Sequence, residues 1–500
     1  MSTASAIAPL MIARFRRLWS ANLLANIGAM AQAVTAAWLM TEMTAGDPTL
    51  VAAVQTCASL PLVLLSLPGG ALADLFTPRR VMLAAQALVL CAGVALLALA
   101  ASGRIGPAAL LGCVFASGAG FALANPAWHA SIRDQTGDDR LLEPAVLLNA
   151  VGFNLARSLG PATGGWLIAL AGPLVALAAS AAAVVPLIAA LWAWRPTIAR
   201  PMQREPLATA IHAGIRYVRW RPSLTALILR ACFFTFSGAS IWALAPLVAH
   251  QRLSGGAAML GTLVAMFGLG AFAGALVRAR FVHWRRATFL SACTLLYALA
   301  TILLGLAQSP APAMLAMALA GGAWVAGLSG LNVAIQIHAA RWVAARAIAL
   351  LQAALFLGLA SGSLIWGVLA DQFGLASALV LSGTSMLATL AFGGWLPIVS
   401  NDAVDLSPAP ASNAMLVQRH TYRPQAARQA EFQQRMRQLE RARRRDGASH
   451  WSLKRMADGG WIEEFVFRHA DDARRYAARR TREDERLEQD IAELLEGHDE

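Results

Sequence analysis

Apolar and polar positions fall into long alternating blocks along the first 400 residues. Apolar runs of the length that crosses a bilayer, about 20 residues, recur near 18–41, 49–73, 80–101, 106–128, 145–170 and 173–194. Six more lie near 223–248, 257–277, 287–307, 312–337, 347–370 and 375–397. The longest polar stretch, Arg195 to Pro222, divides them six and six. This predicts an all-α polytopic membrane protein with 12 transmembrane helices in a 6+6 plan. The first run is too long for a cleavable signal peptide and leads directly into further spans.

After residue 400 the period changes. Residues 401–413 (NDAVDLSPAPASN) read as a linker. Met415–Tyr422 reads as a strand, and Gln425–Arg444 as a helix with Phe432, Met436 and Leu439 on one face. Ser449–Met456 alternates, with Trp451 and Leu453 opposite His450, Ser452 and Lys454. Trp461–Phe467 is another strand, and a helical region from about Ala470 carries Leu487, Ile491 and Leu494. The order βαββα predicts a small C-terminal α+β ferredoxin-like domain. The expected domains are a six-helix bundle at 1–194, a linker at 195–222, a second bundle at 223–400, a linker at 401–413 and the soluble domain at 414–500. Within the first linker, Leu207–Trp220 reads as an amphipathic helix. It suits either a membrane surface, where Arg216 and Arg219 meet lipid phosphates, or a solvated connector.

Composition agrees with a membrane body. Apolar residues make up 57% and charged residues 14%, against about 25% charged in soluble chains. The first 400 residues hold 23 Arg, no Lys and nine acids, a balance of +14, whereas the last hundred balance to −1. With an inside N-terminus, nineteen of the body's arginines fall in inside segments and only Arg104 and Arg252 outside. The positive-inside rule therefore predicts cytoplasmic termini and a cytoplasmic tail. It also accounts for the basic excess without nucleic acid. The five cysteines, Cys57, Cys91, Cys113, Cys232 and Cys293, lie inside apolar runs without CxxC spacing, so no metal site or disulfide framework is expected.

The body carries few polar groups at membrane depth. Asn149, Arg157, Gly160 and Gly164 share one face of span five, and Pro161 removes the donor for the Arg157 carbonyl. Gly160, Gly164 and Gly165 permit either close helix packing or a hinge. A charge at this depth usually faces a cavity or a partner, so Arg157 is read two ways: held by carbonyls freed near Pro161, or lining a cavity that meets an anionic substrate. Arg230, two turns into span seven, is placed to snorkel. Asn22 and Asn26 form a polar strip on span one, and Gln32, Asn332 and Gln336 are weaker candidates. Gly270 with Gly274 and Gly358 with Gly362 read as packing devices. No carboxylate lies at mid-membrane, so the sequence shows no proton site. In the tail, Arg443, Arg444 and Arg445 read as a solvated charge run. His420, His450 and His469 are scattered, and no catalytic or metal-binding arrangement stands out.

Three motifs carry a resemblance. The loop after span two, GALADLFTPRR, is similar to the major facilitator signature G-x-L-[AS]-D-R-x-G-R-[RK]. Gly70, Leu72, Ala73, Asp74, Arg79 and Arg80 match, whereas Leu75 replaces an Arg and Pro78 displaces a Gly. The resemblance implies a cytoplasmic gate in which the Asp faces a helix N-terminus. GPATGG in span five resembles the drug:proton antiporter motif, with Ala156 where that motif has Gly. WGVLADQFG, Trp366 to Gly374, echoes the loop signature, and such internal repeats suit secondary transporters. Together with RRRDGASHW and EEFVF in the tail, the whole chain resembles the transmembrane secretion effector family, the branch related to the enterobactin exporter. The tail resembles the dimeric α+β barrels of antibiotic-biosynthesis monooxygenases.

The resemblance implies a proton-coupled exporter of a siderophore, drug or natural product in a bacterial inner membrane, without a cofactor. It also implies a homodimer through the tail, burying Trp451 and Leu453. An importer of the same fold, or a membrane-anchored enzyme active in the tail, are the alternatives.

Overall fold

The computed structural model describes residues 7–195, 214–278, 284, 286–339, 343–395, 417–456, 459–467, 476 and 482–495. The described chain forms two compact units. The first comprises Met1–Met202, Arg230–Gly330 and Gln352–Trp395, and the second Gln203–Leu229, Leu331–Leu351 and Leu396–Glu500.

Twelve helical segments coincide with the twelve apolar runs. They are α1 (Ala13–Met43), α2 (Pro48–Leu75), α3 (Pro78–Ala101), α4 (Pro107–Thr136), α5 (Leu142–Ala171) and α6 (Pro173–Ala182 continuing as Val185–Ala193). Then follow α7 (Pro222–Leu247), α8 (Ala257–Arg278), α9 (Arg286–Leu306), α10 (Pro310–His338), α11 (Ala344–Phe373) and α12 (Leu375–Trp395). Proline opens α2, α3, α4, α6, α7 and α10, where its missing N–H is spare and its φ already suits a helix. Among the described residues, ten helices are long and apolar enough to cross a membrane. Polar Asn149, Asn154 and Arg157 keep α5 out of that group, and the part of α12 whose side chains are described, Leu375–Leu390, is a shorter apolar stretch. Helices suit this setting because they satisfy their backbone groups internally.

Small residues set the helix contacts of the first unit. A side chain at Gly164 would sit 2.8 Å from the Ala31 backbone of α1, and Gly165 of α5 packs backbone to backbone on Gly261 of α8. Thr56 of α2 donates to the Ala360 carbonyl of α11 at 3.0 Å. Gly270 and Gly274 lie against Ala318 and Gly322, and Gly358 and Gly362 against Cys232 and Phe236, as expected of packing devices.

In the second unit the tail follows the predicted order: β1 (Val417–Tyr422), α13 (Gln429–Asp446), β2 (Ala448–Arg455), β3 (Trp461–Phe467) and α14 (Arg482–Ala492). The sheet order is β1-β3-β2, antiparallel throughout. Phe432, Met436 and Leu439 of α13 meet Ile491 and Leu494, with Trp451, Leu453 and Trp461 packed against them. The sequence suggests that a second copy covers Trp451 and Leu453; instead the chain's own helices cover that face.

Nor is the arginine run the solvated face that the sequence suggests. The side chains of Arg443 and Arg445 are only 8% and 6% exposed. A charge run on a helix is solvated only where no acid lies opposite, and here β3 and α14 supply acids. Of the amphipathic Leu207–Trp220 segment, residues 214–219 are described as helical and 207–213 lie outside the described residues. Arg219 is exposed, but Tyr217 is fully buried and lies under Arg445 of the tail, 5.5 Å away.

Candidate functional site

Arg157 projects from the middle of α5, one turn before Pro161. Its guanidinium lies 5.8 Å from the ring centroid of Trp242 on α7, within cation–π range. It has no hydrogen bond or carboxylate partner among the described residues, so freed carbonyls do not hold it in this structure.

The ring beneath Arg157 opens a run of aromatics over four helices. Trp242 meets Phe267 of α8 edge-on at 4.6 Å and Trp324 of α10 at 6.3 Å. Trp324 in turn contacts Phe234 and Tyr297, each at 5.5 Å. Their polar handles differ. The Tyr297 hydroxyl donates to the Gly238 carbonyl at 2.8 Å. The indole N–H groups of Trp242 and Trp324 are buried with no acceptor among the described residues. Buried indoles ordinarily find a partner. One uncompensated cation, two spare donors and several ring faces suit a ligand with acceptor oxygens and flat apolar surface.

Other expected residues fall elsewhere. Asn149, on the same face of α5, accepts from Trp128 at 3.3 Å and donates to the Ala145 carbonyl at 3.0 Å. Asn22 and Asn26 are half-buried on α1, and their amides have no polar partner among the described residues. Gln32 donates to Ser117 at 3.2 Å. Gly160, Gly164 and Gly165 meet Met30, Ala31 and Gly261. Arg79 donates to the carbonyls of Leu191 and Trp192, at 2.9 and 2.6 Å. It thereby satisfies two C-terminal carbonyls of α6. Arg80 is exposed. Gly70 and Asp74 belong to α2, but their surroundings lie outside the described residues, as do those of Gln336.

The tail holds a second polar centre. Glu463 of β3, fully buried, accepts from Arg443 Nε at 3.2 Å, from the Trp451 indole at 2.8 Å and from the Tyr422 hydroxyl at 2.8 Å. Burial would lower the Arg443 pKa, but Glu463 and Glu488 outweigh it, and the net effect is a rise. Among the described residues no group of His, Cys, Asp and Glu could hold a metal ion.

Solved structures give the same fold. A bacterial homologue of the human lysosomal transporter Spinster, inward-facing and unoccupied, is 17% identical with a TM-score of 0.59, over 78% of this chain and 95% of its own. The nucleoside transporter NupG, as its D323A mutant, is 12% identical with a TM-score of 0.62, over 76% and 98%. The human organic anion transporter MFSD10 is 17% identical with a TM-score of 0.53, over 75% and 99%. No curated protein matches. These neighbours are transporters rather than enzymes, and the body has the major facilitator architecture that they share. The profile of the family described as transmembrane secretion effector matches residues 4–500, and the chain belongs to that family of membrane transporters.

Proposed function

We propose that this transporter exports a small aromatic anion by alternating access of two six-helix halves, driven by protons. The observation that carries the reading is Arg157, over the Trp242 ring at 5.8 Å, with no carboxylate partner for it and no acceptor for the indoles of Trp242 and Trp324 among the described residues. A cation kept at membrane depth without a counter-ion is costly unless a ligand meets it. α5, which carries it, packs on α1 and on α8 through glycines, so movement between those helices would open or close access to Arg157. In this reading all twelve helices span the membrane, both termini face the cytoplasm, and the membrane is a bacterial inner membrane. Gly160, Pro161, Gly164 and Gly165 form the hinge, while Gly70, Asp74, Arg79 and Arg80 form the cytoplasmic gate. A tail homodimer would have to use the sheet face opposite the helices, where Val417 is exposed and Arg419 pairs with Glu464 at 2.5 Å.

The test is directional flux. Everted vesicles containing the protein should accumulate a catecholate siderophore when a proton gradient is imposed, and dissipating the gradient should stop it. Accumulation confined to right-side-out vesicles would establish an importer.

A further inference from the structure

Gln418, His420 and Tyr422 alternate along edge strand β1 on the face that α13 and α14 cover. Between that edge and the helices lies a cavity of about 350 Å³, bounded also by Leu439, Arg443 and Tyr476. Its volume is within the range of small-ligand sites.

The lining specifies a chemistry. Arg443 is already neutralised by Glu463 at 3.2 Å and Glu488 at 2.9 Å, and it also donates to the Tyr476 hydroxyl. These bonds use its Nε and Nη1, whereas Nη2 makes no hydrogen bond among the described residues. Gln418 and His420 likewise make no side-chain hydrogen bond among the described residues. The His420 ring lies parallel to Phe465 at 5.8 Å. Spare N–H donors on a charge-balanced guanidinium, beside flat rings, suit an acceptor oxygen on a neutral planar molecule. A carboxylate would meet Glu463 and Glu488.

The next two residues reach the linker. Arg444 lies 5.3 Å over Trp220 and Arg445 lies 5.5 Å over Tyr217. Arg445 is itself fixed by Asp446 at 2.7 Å and Asp484 at 2.6 Å, and Tyr217 accepts from Arg221 at 3.0 Å. One helical turn thus carries both the cavity wall and the grip on the segment that leads into α7.

We propose that this cavity is a regulatory binding site for a small, neutral, planar aromatic compound with an acceptor oxygen, and that occupancy is passed through Arg443–Arg445 to the linker at Tyr217 and Trp220. Binding here does not depend on which substrate the body carries.

Hydrogen–deuterium exchange on the full chain in lipid nanodiscs tests this, with 2-naphthamide as probe. Peptides covering 417–422 and 436–446 should exchange more slowly, by roughly tenfold at ten times the dissociation constant, and exchange at 214–221 should shift in the same titration. Leu439→Trp, which fills the cavity, should abolish the effect. Gln418→Ala, at a partly exposed edge position, should weaken binding about fivefold, the equivalent of one hydrogen bond. Absence of protection, equal protection by 2-naphthoate or cyclohexanecarboxamide, or protection that survives Leu439→Trp would overturn the site. Protection of the tail with 214–221 unmoved would overturn the relay. Failure of the export reading would appear in vesicle flux and leave these exchange results unchanged.

Discussion

Arg157 was the residue most exposed to view in the sequence, as the only arginine deep inside a predicted span of the first half. Its aromatic neighbours were not visible, because Phe234, Trp242, Phe267, Tyr297 and Trp324 come from α7, α8, α9 and α10 with no shared spacing. The available signal was the indole itself, a polar handle within an apolar run. Trp242→Phe keeps the ring face and removes the N–H donor. It should weaken apparent substrate affinity about fivefold, near the value of one hydrogen bond, with expression retained, as read from concentration-dependent flux. In the tail, Arg443 and Arg445 resembled surface charge because, apart from the adjacent Asp446, their acids come from β3 and α14. Glu463→Ala leaves Arg443 buried without one of its partners. It should destabilise the tail by roughly 3–5 kcal/mol, read as faster exchange in β1 and α13 of the full chain. Burial would lower the Arg445 pKa, yet Asp446 and Asp484 hold it well above its ordinary value. A raised pKa contributes stability below the unfolded-state value and loses it only as pH rises through the folded-state value. This residue therefore gives the tail no pH dependence near neutrality.

At the scale of elements, the twelve helices were legible because each apolar run is long and many begin at proline. The tail order βαββα was legible from its change of period. What covers the sheet was not, since alternation marks a face without naming the partner, and α13 and α14 cover Trp451 and Leu453 in place of a second copy. Helix α5 concentrates the testable consequences. A side chain at Gly165 would enter the backbone of Gly261, so Gly165→Val should cost about 1–3 kcal/mol through overpacking. That cost should appear as a lower unfolding temperature in detergent. Pro161→Ala restores the missing N–H and favours a straighter helix. If α5 bends during transport, this variant should keep its folded yield while its turnover falls. Undiminished turnover would mean that Pro161 and the glycines only pack.

At the scale of the whole molecule, the charge asymmetry of the sequence makes the sharpest demand. Single-cysteine labelling should mark positions 104 and 252 from outside and positions 79 and 285 only from inside. Outside labelling at 79 would overturn the orientation. The membrane body was legible because bilayer thickness fixes run length. The tail's contact with the linker was not, because Arg445 on Tyr217 and Arg444 on Trp220 join residues more than two hundred positions apart. The most direct measurement of the central claim is substrate flux through Arg157 variants in everted vesicles, using a catecholate siderophore beside a cationic dye. The account predicts that Arg157→Ala abolishes siderophore accumulation with the protein still inserted and folded, and that Arg157→Lys restores little of it because a point charge lacks the planar fork. Siderophore accumulation at the wild-type rate in Arg157→Ala would contradict it.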